Sequence, residues 1–398
     1  MRGLYTLGIR TYAAAVRVAS CLGNAKAKQW VKGRQNQPEP VDDDAPWVWF
    51  HAASLGEFEQ GRPLIEALKR QFPQLKVSLT FFSPSGYEVR KDYPLADEVL
   101  YLPVDTMKNA RQWVGRHRFV AAFFIKYEFW FNYMKALGDK GIPLYYISLI
   151  LKPDQYFFRW YGGWFRRQLK SVTHFFVQDK TTLNLLKGVG YDNATLCGDT
   201  RFDRVAAIAQ TARRFPEIEA FLHGRKCIIA GSSWPPDEKL LIPYIDRLPE
   251  DYCMIIAPHD ISEKHLHQLR EALQAVPSGK VHLIDTVGIL SQLYQYARFV
   301  YIGGGFGVNI HNIQEPVTFG CPVVFGPKYK SFKEAVDLVG LGGAFSINSQ
   351  EELNQVFDRL INDENAYQQA SKTCRDYLSS QLGATDAIMR QITSTFSF

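Results

Sequence analysis

Short apolar runs alternate with amphipathic stretches along nearly the whole chain. The apolar runs predict strands at 47–50, 77–82, 98–102, 120–125, 144–147, 174–177 and 194–197, then at 226–230, 253–257, 281–284, 299–302 and 322–325. Several are continuous β-branched and aromatic runs rather than alternating ones, the pattern of parallel strands covered on both faces. Helical spacing fills intervals such as 58–70 and 263–274. Such alternation predicts an α/β fold with doubly wound sheets, and its division into two sets predicts two Rossmann-like domains. The expected boundaries are 36–205 and 226–398, joined by a polar linker at 206–225 that contains Pro216. The last helix is expected to be able to cross back to the first domain. Ligands of doubly wound sheets sit beyond the carboxyl ends of the strands, so two facing domains would share one central cleft.

Residues 1–35 follow a different pattern. Leu4, Leu7, Tyr12, Ala15, Val16 and Ala19 recur at helical spacing, but Arg10 and Arg17 interrupt the apolar tract. No uncharged stretch of about 20 residues remains, which argues against a spanning helix, and the arginines are misplaced for a cleavable signal. Lys26, Lys28, Lys32 and Arg34 follow. An interfacial, membrane-associated helix with a basic flank fits this pattern, and so does a helix packed on its own domain. The formal net charge of +6 is uneven, with Lys and Arg in excess in the first half and Asp and Glu in the second. The first half is therefore expected to meet an anionic partner: nucleic acid, acidic phospholipid or a phosphorylated substrate. Six cysteines without a CxxC pair suggest reduced, buried thiols rather than a disulfide framework or zinc site. His265 and His267 read as surface groups rather than metal ligands, and no metal site is expected.

The first candidate for chemistry is the stretch WVWFHAASLGEFEQGRPL, residues 47–64. A buried strand ends in a polar corner, and a helix with a Phe58, Gly61, Leu64, Ile65 and Leu68 stripe follows. Ser54 and Glu57 form a Ser-x-x-Glu capping box, so Glu57 reads either as a capping carboxylate or as a general base at the floor of a cleft. A helix N-terminus would lower its pKa, and base chemistry would need burial to oppose that. Glu128, in FFIKYEFWFN, ends another apolar strand and reads as a paired structural acid or a site residue. Arg159, Arg166, Arg167 and Lys170 lie in the aromatic, basic segment YFFRWYGGWFRRQLK. That segment suits lipid phosphates, nucleic acid or a solvated surface.

The second half offers IGGGFGVNIHNIQEP. Gly303, Gly304, Gly305 and Gly307 leave a strand, and a helix is expected to open near Asn312. Such glycines let backbone N–H groups approach a phosphate, or simply allow close packing. Glu315 is placed to accept from ribose hydroxyls. Ser232, Ser233 and Trp234 follow one strand, and Pro258, His259 and Asp260 another. Each reads as a nucleotide contact or as ordinary turn chemistry.

Taken together, these motifs resemble the 3-deoxy-D-manno-octulosonic acid (Kdo) transferases of lipopolysaccharide synthesis, in the GT-B glycosyltransferase superfamily. HAASLGE matches the family's His-Ala-(Ala/Ser)-Ser-x-Gly-Glu signature, whose Glu is the catalytic base, and YEFWFN resembles Glu-Leu-Trp-Pro-Asn with Phe131 for Pro. GDTRFD resembles Gly-Asn-x-Lys-Phe-Asp, with Arg201 keeping the positive charge. AGSSWPPDE carries Trp234 where His is common, and IAPHD carries His259 where Arg is usual. In GGGFGVNIHNIQEP, His311, Asn312 and Glu315 match, while Ile310 replaces a Gly. SLILKP departs from Asn-Ala-Arg-Leu-Ser, leaving Lys152 or Arg159 to supply the missing cation.

The resemblance implies an inverting transfer of Kdo from CMP-Kdo to a lipid A precursor at the cytoplasmic leaflet of an inner membrane. Glu57 and Glu128 would be catalytic. Ser232, Ser233, Pro258, His259, Gly303, Gly304, Gly305, His311, Asn312 and Glu315 would hold CMP. Ser54, Gly56, Lys152, Arg159 and Arg201 would meet the acceptor. CMP-Kdo is a co-substrate, and no cofactor or nucleic acid is implied. Another GT-B enzyme acting on a UDP-sugar, by transfer or 2-epimerisation, and a non-enzymatic membrane-associated nucleotide- or lipid-binding protein are the alternatives.

Overall fold

The seven strands of the first half, β1 (Trp47–Ala52), β2 (Lys76–Phe81), β3 (Glu98–Tyr101), β4 (Phe119–Ile125), β5 (Leu144–Leu149), β6 (His174–Val177) and β7 (Ala194–Leu196), form one parallel sheet. Their order is β3-β2-β1-β4-β5-β6-β7. The six strands of the second half are β8 (Lys226–Ser233), β9 (Tyr252–Pro258), β10 (Val281–Leu283), β11 (Ala297–Ile302), β12 (Val323–Phe325) and β13 (Ala344–Ser346). They form a second parallel sheet in the order β10-β9-β8-β11-β12-β13. Every position of β1 and β9 is buried, as the continuous apolar runs require of strands covered on both faces. Sequence pattern misses only β13, whose three residues follow Gly342 and Gly343 without an apolar run.

These coordinates are a computed structural model that describes residues 1–35, 37–38 and 44–396. Two units emerge, Met1–Asp203 with Gly383–Phe398, and Arg204–Leu382. The segment 206–225 is not a linker. The helix Arg201–Gln210 runs into it, and the helix Pro216–Leu222 fills much of the rest, burying Ile218 and Leu222. Pro216 sits in the first helical turn, where its missing N–H costs nothing, so it starts a helix rather than marking a break.

The chain returns to the first unit at its end. Asp203 accepts from the backbone N–H of Gly383 and Thr385, each at 2.7 Å, fixing the start of the helix Ala384–Ile392. Ile388, Met389, Ile392 and Phe396 then share a core with Leu64, Ile65 and Leu68.

Helices α1 (Arg2–Cys21) and α2 (Ala25–Gln35) pack on the first unit. Arg2 donates to Phe131 O at 2.8 Å, and the Tyr5 hydroxyl to Asp105 Oδ2 at 2.5 Å. Ala13, Ala27 and Trp30 are buried. Leu4, Leu7, Val18 and Leu22 are turned the other way, and each is at least 58% exposed. Thus α1 does pack on its own domain, yet keeps a second apolar face in solvent. Among the described residues, no helix is long and apolar enough to cross a membrane.

Candidate functional site

In both sheets the strand order reverses beside the first strand, between β1 and β4 and between β8 and β11. Doubly wound sheets bind ligands beyond the carboxyl ends of the strands at such points. The two strongest sequence candidates fall there, each within its own unit.

In the first unit, β1 extends through His51 and Ala52, and α3 (Leu55–Gln71) opens almost at once. The polar corner between strand and helix is thus only two residues long, Ala53 and Ser54. Ser54 occupies the cap position with extended backbone, but its side chain makes no capping hydrogen bond. In place of the side-chain cap, Glu57 Oε2 reaches back past Ser54 and accepts from the Ala53 N–H at 2.5 Å. Glu57 is 6% exposed. Burial, and next the charge of Glu128, push its carboxyl up to about 7, against the pull of the Ala53 and Ser54 N–H groups and of Lys126. The opposition of burial to the helix terminus falls on the side that base chemistry needs.

Glu128 follows β4 and is held by a network that the sequence did not reveal. The Trp130 indole N–H lies 2.9 Å from both Glu128 Oε2 and His51 Nε2, and those two atoms are 3.4 Å apart. On its other side the fully buried His51 ring has Nδ1 2.9 Å from Thr80 Oγ1. The Thr80 hydroxyl also accepts from Trp49 Nε1 at 2.8 Å and lies 3.2 Å from Phe50 O. The Thr80 hydroxyl donates to Phe50 O, so its oxygen is left to accept from His51 Nδ1–H. The register explains the contact, since His51 pairs with Thr80 across β1 and β2.

Lys126 was also passed over by sequence reading. It adopts φ 58° at the end of β4, and Ser148 and Ser232 adopt φ 53° near the ends of β5 and β8. Non-glycine residues in this region are uncommon, and they collect at ligand sites. A Lys closing the apolar run FFIK was the available signal. Of the acceptor candidates, Gly56 faces open space, with nothing within 4 Å of an added Cβ. Lys152 and Arg159 are exposed on the loop after β5, and Arg159 Nε donates to Asp154 O at 3.0 Å. Arg201 is gripped by Asp199 Oδ2, from Nε at 2.9 Å and from Nη2 at 2.6 Å.

In the second unit, three amides of the glycine loop bond within the fold. Gly303 N–H donates to Gly231 O, Gly304 N–H to Asp237 Oδ2 and Gly307 N–H to Gly304 O, each at 2.9 Å. Those amides are used by the fold itself. The glycines serve close approach instead: a Cβ on Gly303 would stand 2.2 Å from Ser232 O, and one on Gly305 2.7 Å from the Gly326 backbone. Gly304 also needs its φ of +91°. The helix opens at Gln314, later than expected, and Asn312 Nδ2 donates to Glu315 Oε1 at 3.2 Å.

Three rings stack beside this loop. His259 lies 4.7 Å from Trp234 and 4.3 Å from His311, centroid to centroid, and Trp234 Nε1 donates to His311 Nε2 at 2.9 Å. Burial, followed by the neighbouring His259, pushes His311 down to about 4, so it is neutral with its proton on Nδ1. Trp234, Pro236, Gly304, Val308, Asn309 and His311 border a cavity of about 290 Å³. Ser233 Oγ donates to Glu238 Oε1 at 3.0 Å, and that oxygen also lies 3.1 Å from His265 Nε2. His265 is therefore a buried, paired residue and not the surface group expected, because α-helical spacing turns it inward and leaves His267 out. No group of three or more His, Cys, Asp or Glu is arranged to hold a metal among the described residues.

Comparison with known proteins finds relatives of the chain. Residues 23–204 match the family model described as 3-deoxy-D-manno-octulosonic-acid transferase. The 3-deoxy-D-manno-octulosonic acid transferase of Aquifex aeolicus is 25% identical over 331 residues, covering 79% of this chain and 86% of that protein. The enzyme of the same description from Rickettsia typhi is 22% identical over 342 residues, covering 80% and 72%. Among solved structures, UDP-GlcNAc 2-epimerase from Neisseria meningitidis bound to UDP-GlcNAc superimposes with a TM-score of 0.64 at 14% identity, over 88% of this chain and 99% of that one. That likeness concerns the fold alone.

Proposed function

We propose that this relative of the Kdo transferases moves Kdo from CMP-Kdo to a lipid A precursor, inverting the anomeric centre, with Glu57 as general base. One observation carries the reading: a nearly buried carboxyl at the switch point of the first sheet, held near neutrality. A base with a pKa close to ambient pH combines a useful ionised fraction with real affinity for a proton. Glu57 takes the proton of the acceptor hydroxyl as its oxygen attacks the anomeric carbon. The bond to the CMP oxygen breaks on the opposite face, and CMP leaves as a stabilised phosphate that needs no separate acid. Glu128, held by Trp130 and facing His51, stands beside Glu57, and its charge is the second cause, after burial, that raises the basicity of Glu57.

The donor is assigned to the second unit, around Ser232, Ser233, Pro258, His259, Gly303, Gly304, Gly305, His311, Asn312 and Glu315. Because the Gly303 and Gly304 amides are engaged within the fold, the phosphate falls to donors such as His311 Nδ1–H and the Ser232 hydroxyl. Ser54, Gly56, Lys152, Arg159 and Arg201 are assigned to the acceptor. The exposed apolar face of α1, with Trp160 at 92% and Tyr161 at 53% exposure, supports docking on the cytoplasmic face of the inner membrane, where such an acceptor resides.

The test is incubation with freshly generated CMP-Kdo and a tetraacylated lipid A precursor, read by mass spectrometry. The expected product carries added Kdo. Glu57→Gln is expected to lose transfer by on the order of 10²–10⁴-fold while binding CMP as before. Protection of the reaction by UDP but not CMP would overturn the donor, and normal turnover by Glu57→Gln would overturn the base.

A further inference from the structure

One wall of the cavity in the second unit, of about 290 Å³, is built by two rings that form a single surface. The planes of Trp234 and His311 are 12° apart, their centroids 6.4 Å apart, and Trp234 Nε1 donates to His311 Nε2 at 2.9 Å. Ring N–H and ring lone pair both lie in their ring planes, so this bond sets the pair edge to edge. An indole nitrogen only donates, which also fixes His311 as the acceptor at Nε2. His259 stacks across the junction, at 26° to Trp234 and 22° to His311. It is not among the residues that line the cavity, which therefore opens on a part of the pair that His259 leaves bare.

This surface is held in place from below. The buried Asp237 accepts at Oδ2 from the backbone N–H groups of both Trp234 and Gly304, each at 2.9 Å, and at Oδ1 from the Tyr301 hydroxyl at 2.8 Å. One carboxylate thus ties the wall to the glycine loop, whose Gly304 and Gly307 also line the cavity. The remaining lining offers few hydrogen bonds: Pro236 and Val308 are apolar, and Asn309 Oδ1 is taken by Ser331 Oγ at 2.9 Å. Trp234 is 37% and Val308 85% exposed, so a flat apolar surface stands open in the region assigned to the donor. The chain departs from the family pattern at both stacked positions, Trp234 for His and His259 for Arg. The two replacements touch each other.

We propose that Trp234, locked to His311, is the platform on which the transferred sugar of the donor stacks, through the C–H face of its ring. The inference rests on the donor assignment and goes beyond it, since that assignment includes His311 but not Trp234. With His311 on the phosphate and Glu315 on the ribose, the nucleotide runs along positions from His311 onward. The cavity is bordered by His311 and earlier positions, and by neither Asn312 nor Glu315, so it lies where the other substituent of the phosphate goes. Its volume falls just under the roughly 300–1,000 Å³ of sites that enclose a whole small ligand, which suits one sugar ring rather than an entire nucleotide sugar. A 3-deoxy sugar carries a methylene in its ring, and the added C–H surface is what an indole face covers by apolar burial and dispersion.

The test is equilibrium titration of the full chain, without acceptor, comparing each nucleotide with its sugar conjugate: CMP with freshly generated CMP-Kdo, and UDP with UDP-GlcNAc. Trp234→Ala keeps the backbone N–H that Asp237 holds. It is expected to weaken CMP-Kdo about tenfold or more beyond any change in CMP, as loss of a Trp anchor does. Trp234→Phe keeps a ring face without the N–H and is expected to recover part of that loss. Should Trp234→Ala fail to fold, Trp234→Leu, apolar but not flat, carries the same expectation. Selective loss of UDP-GlcNAc over UDP, in place of the CMP pair, would overturn the donor assignment and still support the platform. Equal loss of nucleotide and conjugate would put the base or ribose on Trp234 and overturn the proposal. Unchanged affinities in the Ala and Leu variants, or no saturable binding of either conjugate by the wild-type chain, would overturn it as well.

Discussion

Opposing influences meet on Glu57, and their balance sets the pH at which the site works. Burial and the Glu128 charge raise its pKa, while two backbone N–H groups and Lys126 lower it. The raised value means that the folded state resists ionising this group. Its contribution to stability therefore declines as pH rises from the ordinary 4.5 toward about 7, whereas its competence as a base grows through the same window. Glu128→Gln removes the second-largest cause of the shift. The acid limb of the pH–rate profile should then move down by on the order of one pH unit, the equivalent of about 1.4 kcal/mol of like-charge repulsion. An unmoved limb would mean that burial alone sets Glu57. A pair of glycines separates packing from function in the same way. Gly303→Ala forces a Cβ into the Ser232 backbone and should destabilise the second unit by about 1–3 kcal/mol or more, read by denaturant unfolding. Gly56→Ala meets open space on a helix and should hold or raise stability, by up to about 1 kcal/mol, while raising KM if the acceptor approaches there. Glu57 was legible as a candidate because a carboxylate after an apolar strand stands out. Its partners were not, since His51, Thr80 and Trp130 lie 29 and 79 positions apart and only register brings them together.

At the scale of elements, α1 illustrates how much an apolar pattern leaves open. Its residues are apolar on two sides: Tyr5 and Ala13 turn inward, while Leu4, Leu7, Val18 and Leu22 turn outward. The spacing read from sequence mixed the two, joining Leu4 and Leu7 to Tyr12, whose ring faces Trp30 and Phe82. Once separated, the outer face makes a specific prediction. Replacing Leu4, Leu7 and Val18 with Ser should change unfolding stability little, as exposed positions do. Partition onto anionic vesicles should fall by roughly 10³-fold, given on the order of 4 kcal/mol for three inserted apolar side chains. Equal co-sedimentation of the variant would rule out α1 as the membrane-facing element. The strands contrast with this helix. Their apolar runs are short, β-branched and aromatic, which fits strands covered on both faces better than buried helices.

At the scale of the whole molecule, the chain assembles its first unit from both of its ends. Ile388, Met389, Ile392 and Phe396 complete a core begun by α3, and Asp203 caps the returning helix. Ending the chain after Leu382 should therefore destabilise the first unit by several kcal/mol, at about 1.5–3 kcal/mol for each fully buried side chain, out of the 5–15 kcal/mol typical of a domain. Calorimetry should show one transition moved down sharply while that of Arg204–Leu382 keeps its temperature; joint loss of both would make the units interdependent. Sequence alone determined the α/β class, the two sets of strands and the positions of Glu57, Glu128 and the glycine loop, because these depend on local pattern and on residues that are unusual where they stand. Only tertiary structure decided the strand order that puts those residues at two switch points, the burial that lifts Glu57 toward neutrality, the use of the loop amides by the fold itself, and the second face of α1. Each of these rests on contacts between positions far apart in the chain, and the periodicity of a local segment carries no information about its distant neighbours.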